Sequence, residues 1–259
     1  MISDMKMNKL LLIICLVFLT GVCSFAQETD ISYKFTENAH HKFREKVTID
    51  SYAKIMDEEK SSREEYTQDI DEVILGGGDV GKVKQTITLT ASVTDGESSL
   101  DKIPEDRRRT ELTFEETAKG KILSLSDENG KTPKDFDPKD EKSLFPDGKV
   151  KIGDTWVWAR KTNGLELSLD CTLLELYSEN GVDVAKIGIK EDETVSQDNI
   201  DFKVTGSGVF YFAVNYGNDL YLKLDLEFYS SIPIIEKGTE KAGEASINNK
   251  YSYMFWRCD

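Results

Sequence analysis

The sequence has few of the residues from which metal sites and nucleophilic catalytic centres are built. Its 259 residues include two histidines, four cysteines and five prolines. The histidines, His40 and His41, are adjacent, and neighbouring side chains on an extended segment point to opposite sides. A zinc site needs three or four ligands, and no G-x-S-x-G elbow is present. We therefore predict no metal, no cofactor and no catalytic residues, and expect that the protein is not an enzyme.

Positive charge is also scarce. The chain has 33 Lys and Arg against 48 Asp and Glu, for a formal net charge of -15. A field of this sign repels phosphate backbones and anionic lipid headgroups. The basic run Arg107–Arg109 directly follows Glu105 and Asp106, which favours local ion pairing on a solvated face. We predict no nucleic-acid partner and no binding to acidic membrane surfaces.

Long apolar runs are absent except near the N-terminus, where Leu10–Leu19 follows two lysines. A small-residue frame then ends at Ala26, as in a signal peptide that is cut before Gln27. Polar residues return at Thr20, so the run is short of the roughly 20 residues that span a bilayer. We predict a removable signal peptide over residues 1–26, with an uncleaved anchor as the alternative.

The predicted signal peptide implies export to the periplasm, the cell surface or the medium. Membrane contact is then expected only through the signal peptide before cleavage. Two cysteines leave with the signal, so the mature chain keeps Cys171 and Cys258. An oxidising compartment favours a disulfide between them. The alternative is two unpaired thiols.

The main structural pattern is alternation of apolar and polar residues. The clearest case runs through Leu220, Leu222, Leu224 and Leu226, with polar residues between them. This two-residue period puts one face of a strand on a core and the other in water. In the next clearest case the apolar phase slips near Leu173, which indicates a β-bulge.

The fold class that follows is all-β, with antiparallel meander sheets. They would form either a curved, clam-like half barrel or two stacked sheets. Residues 66–74 fit a helical period and a strand equally well. Strands are expected over Ile31–Phe35, Phe43–Ile55, Val83–Val93, Thr110–Phe114, Ile122–Leu125, Val150–Ala159, Val182–Ile189, Ile200–Val204, Val209–Val214 and Tyr251–Trp256.

A stretch rich in Pro, Asp and Lys over residues 131–148 reads as a linker, because proline disfavours a central strand. It separates an N-terminal β unit, residues 27–130, from a C-terminal β unit, residues 149–259. About six strands are expected on each side. The two units resemble each other in pattern, but their residue identity is too low to establish a duplication.

Two glycine-rich segments resemble functional motifs. Gly76–Lys82 has the glycine and lysine spacing of a phosphate-binding loop, but Val83 stands where a Ser or Thr is required. A hairpin between two strands explains it better. Gly206-Ser207-Gly208 is expected to be a bulge or bend between two strands.

Carboxylates are so numerous that none can be selected as functional from the sequence. Asp135-Phe136-Asp137, Asp127-Glu128-Asn129-Gly130 and Asp69–Glu72 could each offer oxygen ligands to calcium, but none has the EF-hand loop with its distal glutamate. Loose calcium binding at the linker is the alternative. An acid pair of the glycosidase type could not be chosen without geometry. We expect nearly all of these side chains on the solvated surface.

Aromatic residues mark the candidate ligand face. Trp156 and Trp158 share one strand face, and Tyr251 and Tyr253 share another. Core packing is the favoured interpretation, and the alternative is a hydrophobic groove on the concave side of a curved sheet.

The segment Leu144-Phe145-Pro146, followed by Val150–Trp156, resembles an "F-P … V-K-x-G-D-T-W" signature. The signature is that of uncharacterised exported bacterial β-proteins assigned to a domain of unknown function. The resemblance covers about a dozen residues and implies a fold and an export route without an activity. In physical terms, Gly153-Asp154 makes a tight turn that delivers Trp156 to the core.

Together these observations predict a non-enzymatic envelope or secreted protein. Its curved sheet would bind a hydrophobic small molecule or an envelope partner chain. One alternative is a structural or assembly component with a filled core. A hydrolase hidden among the carboxylates is the less favoured alternative.

Overall fold

The computed structural model describes residues 28–134, 136–162, 165–197, 200–234 and 243–259. The predicted signal peptide and its cleavage site at Ala26 and Gln27 lie outside these ranges. So does Asp135 of the candidate calcium segment.

Twelve strands make up nearly all of the regular structure in the described ranges, which confirms the all-β prediction. The other elements there are two three-residue 3-10 helices, Leu100–Lys102 and Glu105–Arg107. No helix in the described part of the chain is long and apolar enough to cross a membrane. The strands are β1 (His40–Ile55), β2 (Glu58–Gly76), β3 (Val80–Thr94), β4 (Glu97–Ser98), β5 (Arg109–Thr117), β6 (Ile122–Asp127), β7 (Thr155–Thr162), β8 (Leu165–Glu179), β9 (Val182–Gln197), β10 (Ile200–Ala213), β11 (Asn218–Ile234) and β12 (Gly243–Arg257).

All twelve strands belong to one antiparallel sheet. Its order is β6-β5-β3-β2-β1-β12-β11-β10-β9-β8-β7, with β4 paired to β3. Six strands precede the predicted linker and six follow it, and the two groups meet where β1 pairs with β12. This pairing runs from Phe43 opposite Arg257 to Ile55 opposite Ala245. The two β units therefore form one continuous, open sheet with β6 and β7 at its edges, and not two stacked sheets.

The sheet is curved, since side chains from strands at both ends of the order line a single cavity. Two glycines of β10 allow close backbone approach along it. A Cβ on Gly206 would lie 2.4 Å from the carbonyl oxygen of Asp225, and one on Gly208 would lie 2.4 Å from that of Lys223. The prediction that these glycines separate two strands is therefore wrong. They lie inside one strand, where the absence of a side chain lets β11 pack tightly.

Other local predictions are settled by the pairing. Residues 66–74 form part of β2, so the helical alternative is wrong. The predicted bulge in β8 is confirmed, since the register with β9 shifts between Leu173 and Glu175. The segment Gly76–Lys82 is the β2–β3 hairpin. The predicted strand over residues 31–35 is wrong, since this segment makes one isolated bridge, from Phe35 to Gly78, and Thr29 just before it makes another with Val150.

Instead of adding a strand, residues 29–36 cross the concave face of the sheet. We call this segment the strap. Its backbone is held at both halves of the sheet, because Tyr33 N donates to Ala118 O at 2.7 Å and Lys34 N donates to Gly217 O at 3.1 Å. Lys119 also binds it, with Nζ donating to Ile31 O at 3.0 Å.

The main hydrophobic core lies between the strap and the C-terminal half of the sheet. Phe145, which lies in the predicted linker, is 1% exposed and packs there, and its N–H donates to Lys119 O at 3.0 Å. The later part of residues 131–148 therefore contributes to the core. The proline and charge content of this stretch had indicated a linker instead. The buried members of this core are Ile31, Phe145, Val150, Leu169, Cys171, Leu173, Ala185, Ile187, Ile189, Phe210 and Phe212.

The fit of the strap against the β2–β3 hairpin predicts the effect of one glycine substitution. A Cβ on Gly81 would lie 2.2 Å from ring carbons of Phe35, whereas a Cβ on Gly76 would lie 3.7 Å from its nearest neighbour. We expect Gly81→Ala to lower the free energy of unfolding by about 1–3 kcal/mol through overpacking. Gly76→Ala, the matched control, should change it by less than about 1 kcal/mol. Urea unfolding measures both.

The accompanying double variant, Gly81→Ala with Phe35→Ala, separates a steric clash from a backbone effect. Its two substitutions should be strongly non-additive, because removing the ring removes the clash. Additive effects would contradict the described packing of the strap.

Candidate ligand-binding site

The concave side of the sheet encloses a partly open cavity of about 380 Å³. Its walls come from strands of both halves and from the strap, and they are mostly apolar or aromatic. Three of the four candidate ligand-face aromatics, Trp156, Trp158 and Tyr253, line it, while Tyr251 lines a separate surface cleft beside Asp50. The other apolar walls are Ile70, Ile87, Ile122, Leu144, Ile187, Ile189, Phe210, Leu222 and Phe255.

The turn before β7 aims the first tryptophan into this cavity. Gly153 has φ +94, and its N–H donates to Leu173 O at 2.8 Å. The carboxylate of Asp154 accepts from Lys151 N at 3.0 Å, which closes the turn. The indole Nε1 of Trp156 then donates to Leu144 O at 2.8 Å. The signature segment therefore builds one wall of the cavity by ordinary turn chemistry.

A second cavity of about 270 Å³ adjoins the first. The two volumes meet at the side chains that line both of them, which are Tyr33, Gln85, Glu116, Ile122, Asp219 and Phe255. We call the larger one the aromatic cavity and the smaller one the acidic cavity.

Glu72 and Asp219 face the acidic cavity from the two halves of the sheet. Glu72 lies on β2 opposite His41 and Gln85, and Asp219 lies near the start of β11. Gln85 Nε2 donates to Glu72 Oε2 at 2.8 Å, and the hydroxyl of Tyr33 donates to Asp219 Oδ1 at 3.0 Å. Each carboxylate is thus oriented by a neutral donor.

Burial dominates the titration of both groups. It raises the pKa of Asp219 to about 7, with the negative charge of Glu72 adding to the effect and the Tyr33 hydrogen bond opposing it. Burial likewise raises the pKa of Glu72, and the Gln85 hydrogen bond opposes it. Such shifts mark carboxyls held away from water with too little compensating positive charge.

A third carboxylate, Glu45, lies at the aromatic end. It accepts from the hydroxyl of Tyr253 at 3.1 Å, and burial raises its pKa. Glu45 pairs with Phe255 of β12 across the junction of the two halves.

The two histidines do not form a joint site. His41 lines the acidic cavity, with Nδ1 3.9 Å from Glu72 Oε1, while His40 is not among the residues that line either cavity. Burial and the nearby Arg257 lower the pKa of His41, so its imidazole is neutral at pH 7. Within the described ranges, no three His, Cys, Asp or Glu side chains are grouped so as to hold a metal ion.

Cys171 and Cys258 are free thiols in this structure, so the predicted disulfide is not formed here. Cys171 is buried in β8 and lines the aromatic cavity, and Cys258 is exposed after β12. Strands β9, β10 and β11 lie between them in the sheet. Burial raises the pKa of Cys171 to about 12, which makes it an inert core thiol.

Sequence reasoning missed the inward-facing acids. The expectation that carboxylates lie on the solvated surface fails for Glu72, Glu45 and Asp219, because alternation shows which residues share a face without showing which face is inner. Glu72 has the same parity as Ile70 and Ile74, which are 6% and 3% exposed. An acid in phase with apolar residues was the available signal.

Comparison with known proteins assigns the chain to no group. No protein-family model matches it, and no curated protein matches it either. The cavities are therefore the main indication of function.

The raised pKa of Asp219 predicts a pH dependence of stability. Its folded-state pKa of about 7 lies above the usual value of 3.8, so the folded state binds the proton more tightly. Stability should fall as pH rises from about 4 to about 7 and then level off. Asp219→Asn should make this decrease in the free energy of unfolding smaller by roughly 1–3 kcal/mol, since a tenfold change in proton affinity corresponds to about 1.4 kcal/mol.

Urea unfolding at about pH 5 and about pH 8 measures the difference. The matched control is Glu191→Gln, which removes another buried carboxyl with a pKa of about 7 outside both cavities. The two variants should act additively on the pH slope. An unchanged slope in Asp219→Asn would contradict the assignment.

Proposed function

We propose that the protein binds an apolar small molecule inside its curved sheet. The observation that carries this proposal is the aromatic cavity of about 380 Å³, walled by Trp156, Trp158, Phe210 and Phe255. Ligand sites are typically concave, largely apolar and preformed, with a small number of polar groups that fix orientation. Glu45, Asp219 and Tyr33 supply such groups here.

The position of the cavity favours ligand binding over the structural alternative. The strap and Phe145 already fill the concave face of the C-terminal half. The remaining volume lies at the centre, where both halves contribute side chains. A protein that needed only a packed core would gain stability by filling this space, because unfilled apolar volume lowers stability.

A small molecule is favoured over a partner chain for a geometric reason. Three of the four candidate aromatics line a concavity, as is typical of small-molecule sites. With the predicted signal peptide, the proposal describes an exported, non-enzymatic binding protein. Its ligand would be a hydrophobic compound met in the envelope or outside the cell.

Tryptophan quenching by a terminally brominated fatty alcohol tests the proposal. The chain has three tryptophans, and two of them, Trp156 and Trp158, line the aromatic cavity, while Trp256 does not. Because bromine quenches indole at close range, we expect saturable quenching in the wild type. Trp256→Phe should keep this quenching, and the double variant Trp156→Phe with Trp158→Phe should lose it.

Native mass spectrometry of the wild type with the same alcohol gives the stoichiometry, for which we expect one molecule per chain. Quenching confined to Trp256, or a signal that never saturates, would contradict binding in the cavity.

The hydrolase alternative rests on the same carboxylates, because Glu72 and Asp219 both face the acidic cavity with raised pKa values. An acid pair of this kind can transfer protons to a bound glycoside. Turnover of nitrophenyl glycosides that Asp219→Asn abolishes would replace the binding function with this one. We expect no such turnover.

A further inference from the structure

We propose that the ligand carries a cationic amine, which binds between Glu72 and Asp219 in the acidic cavity while its apolar body fills the aromatic cavity. This inference rests on the proposed function and specifies the class of ligand. The adjoining volumes, about 270 Å³ and about 380 Å³, both have apolar walls interrupted by carboxylates, and Glu72 lines only the smaller one while Asp219 lines both.

The charges that line the two cavities are strongly one-sided. Lys34 is the one Lys or Arg among the described lining residues, and its Nζ donates to the backbone oxygen of Asn215 at 3.0 Å. Arg257 is near enough to act on Glu72, but it is bound to Asp259 and does not line either cavity. Five carboxylates do line them: Glu45, Glu72, Glu116, Glu141 and Asp219.

Two buried polar atoms in the wall of the acidic cavity make no hydrogen bond to any described residue. Asn218 lines this cavity, and its Oδ1, an acceptor, is buried without a hydrogen-bond donor. His41 Nδ1, in the same wall, lies 3.9 Å from Glu72 Oε1 and makes no hydrogen bond to any described residue. Buried polar atoms are normally paired, so these two atoms leave hydrogen-bonding capacity open to a bound group. An ammonium group offers three N–H donors and no acceptor.

The carboxylates are already oriented for such a group. Tyr33 fixes Asp219 through Oδ1, and Gln85 fixes Glu72 through Oε2. Among the described residues, no Lys, Arg or His side chain makes a hydrogen bond to either carboxylate, and His41 Nδ1 lies 3.9 Å from Glu72 Oε1. A buried carboxylate is costly unless it is paired, and an ammonium between the two would pair both.

Proton linkage follows from this arrangement. A bound cation favours the ionised carboxylates, so amine binding releases protons and should tighten as pH rises through about 7. An alkylamine stays protonated in that range, since its pKa is close to that of lysine, about 10.4. The other titratable or charged groups near the two carboxylates are Tyr33, Lys34, His41, Glu116, Arg257 and Asp259.

The test compares dodecylamine with dodecanol as competitors of the brominated alcohol. The two differ only in the head group, so their affinity ratio isolates its contribution. We expect dodecylamine to bind at least about tenfold more tightly at about pH 8 and to lose most of this advantage at about pH 5. Tenfold corresponds to about 1.4 kcal/mol, which one charge-assisted hydrogen bond can supply.

Variants assign the effect to the two carboxylates. Glu72→Gln combined with Asp219→Asn should abolish the preference for the amine, so that dodecylamine and dodecanol bind with equal affinity. Glu191→Gln is the matched control, since Glu191 is 4% exposed and lines neither cavity. It should leave the affinity ratio of the two probes as in the wild type, which also controls for the protein's net negative charge.

The outcomes separate this inference from the proposed function. Equal affinity for amine and alcohol would overturn the cationic head group and keep apolar binding. Absence of binding by both probes would overturn the proposed function itself. An amine preference that survives the double variant would overturn the assignment to Glu72 and Asp219.

Discussion

Pairing between β1 and β12 is the constraint on which the rest of the structure depends. On one side of this junction the strands follow outward in chain order, from β1 to β6, and on the other side they follow outward in reverse chain order, from β12 to β7. Strands from both ends of the sequence therefore form one sheet. The cavity exists because this single sheet curves, which places β3 and β7 residues on opposite walls of one space. Without that ladder, each half would expose its inner apolar face to water.

Much of the fold follows from two-residue alternation. The bulge near Leu173, the hairpin at Gly76–Lys82 and the antiparallel order all express local rules that short sequence windows contain. The pairing of β1 with β12 was not predictable in this way, because it joins residues about two hundred positions apart. The position of the strap on the concave face was not predictable for a similar reason. Residues 31–35 alternate like a strand, but they pair with no neighbouring strand and are held by scattered backbone hydrogen bonds and by packing on the concave face.

The candidate site was predicted only in its apolar part. Trp156, Trp158 and Tyr253 were selected from their shared strand faces, and all three line the aromatic cavity. Glu72 and Asp219 were missed because an acidic chain offers dozens of carboxylates, and only the three-dimensional fold shows which are buried. Their inward position contradicts the rule of polar residues outside, and such exceptions are where function is usually found.

The most direct test of ligand binding inside the sheet is a high-resolution crystal structure of the mature protein purified from its own cells. We predict continuous non-protein density that runs from the wall formed by Trp158 and Phe255 to the space between Glu72 and Asp219. A cavity that holds only water, or that closes by collapse of its aromatic walls, would contradict the account.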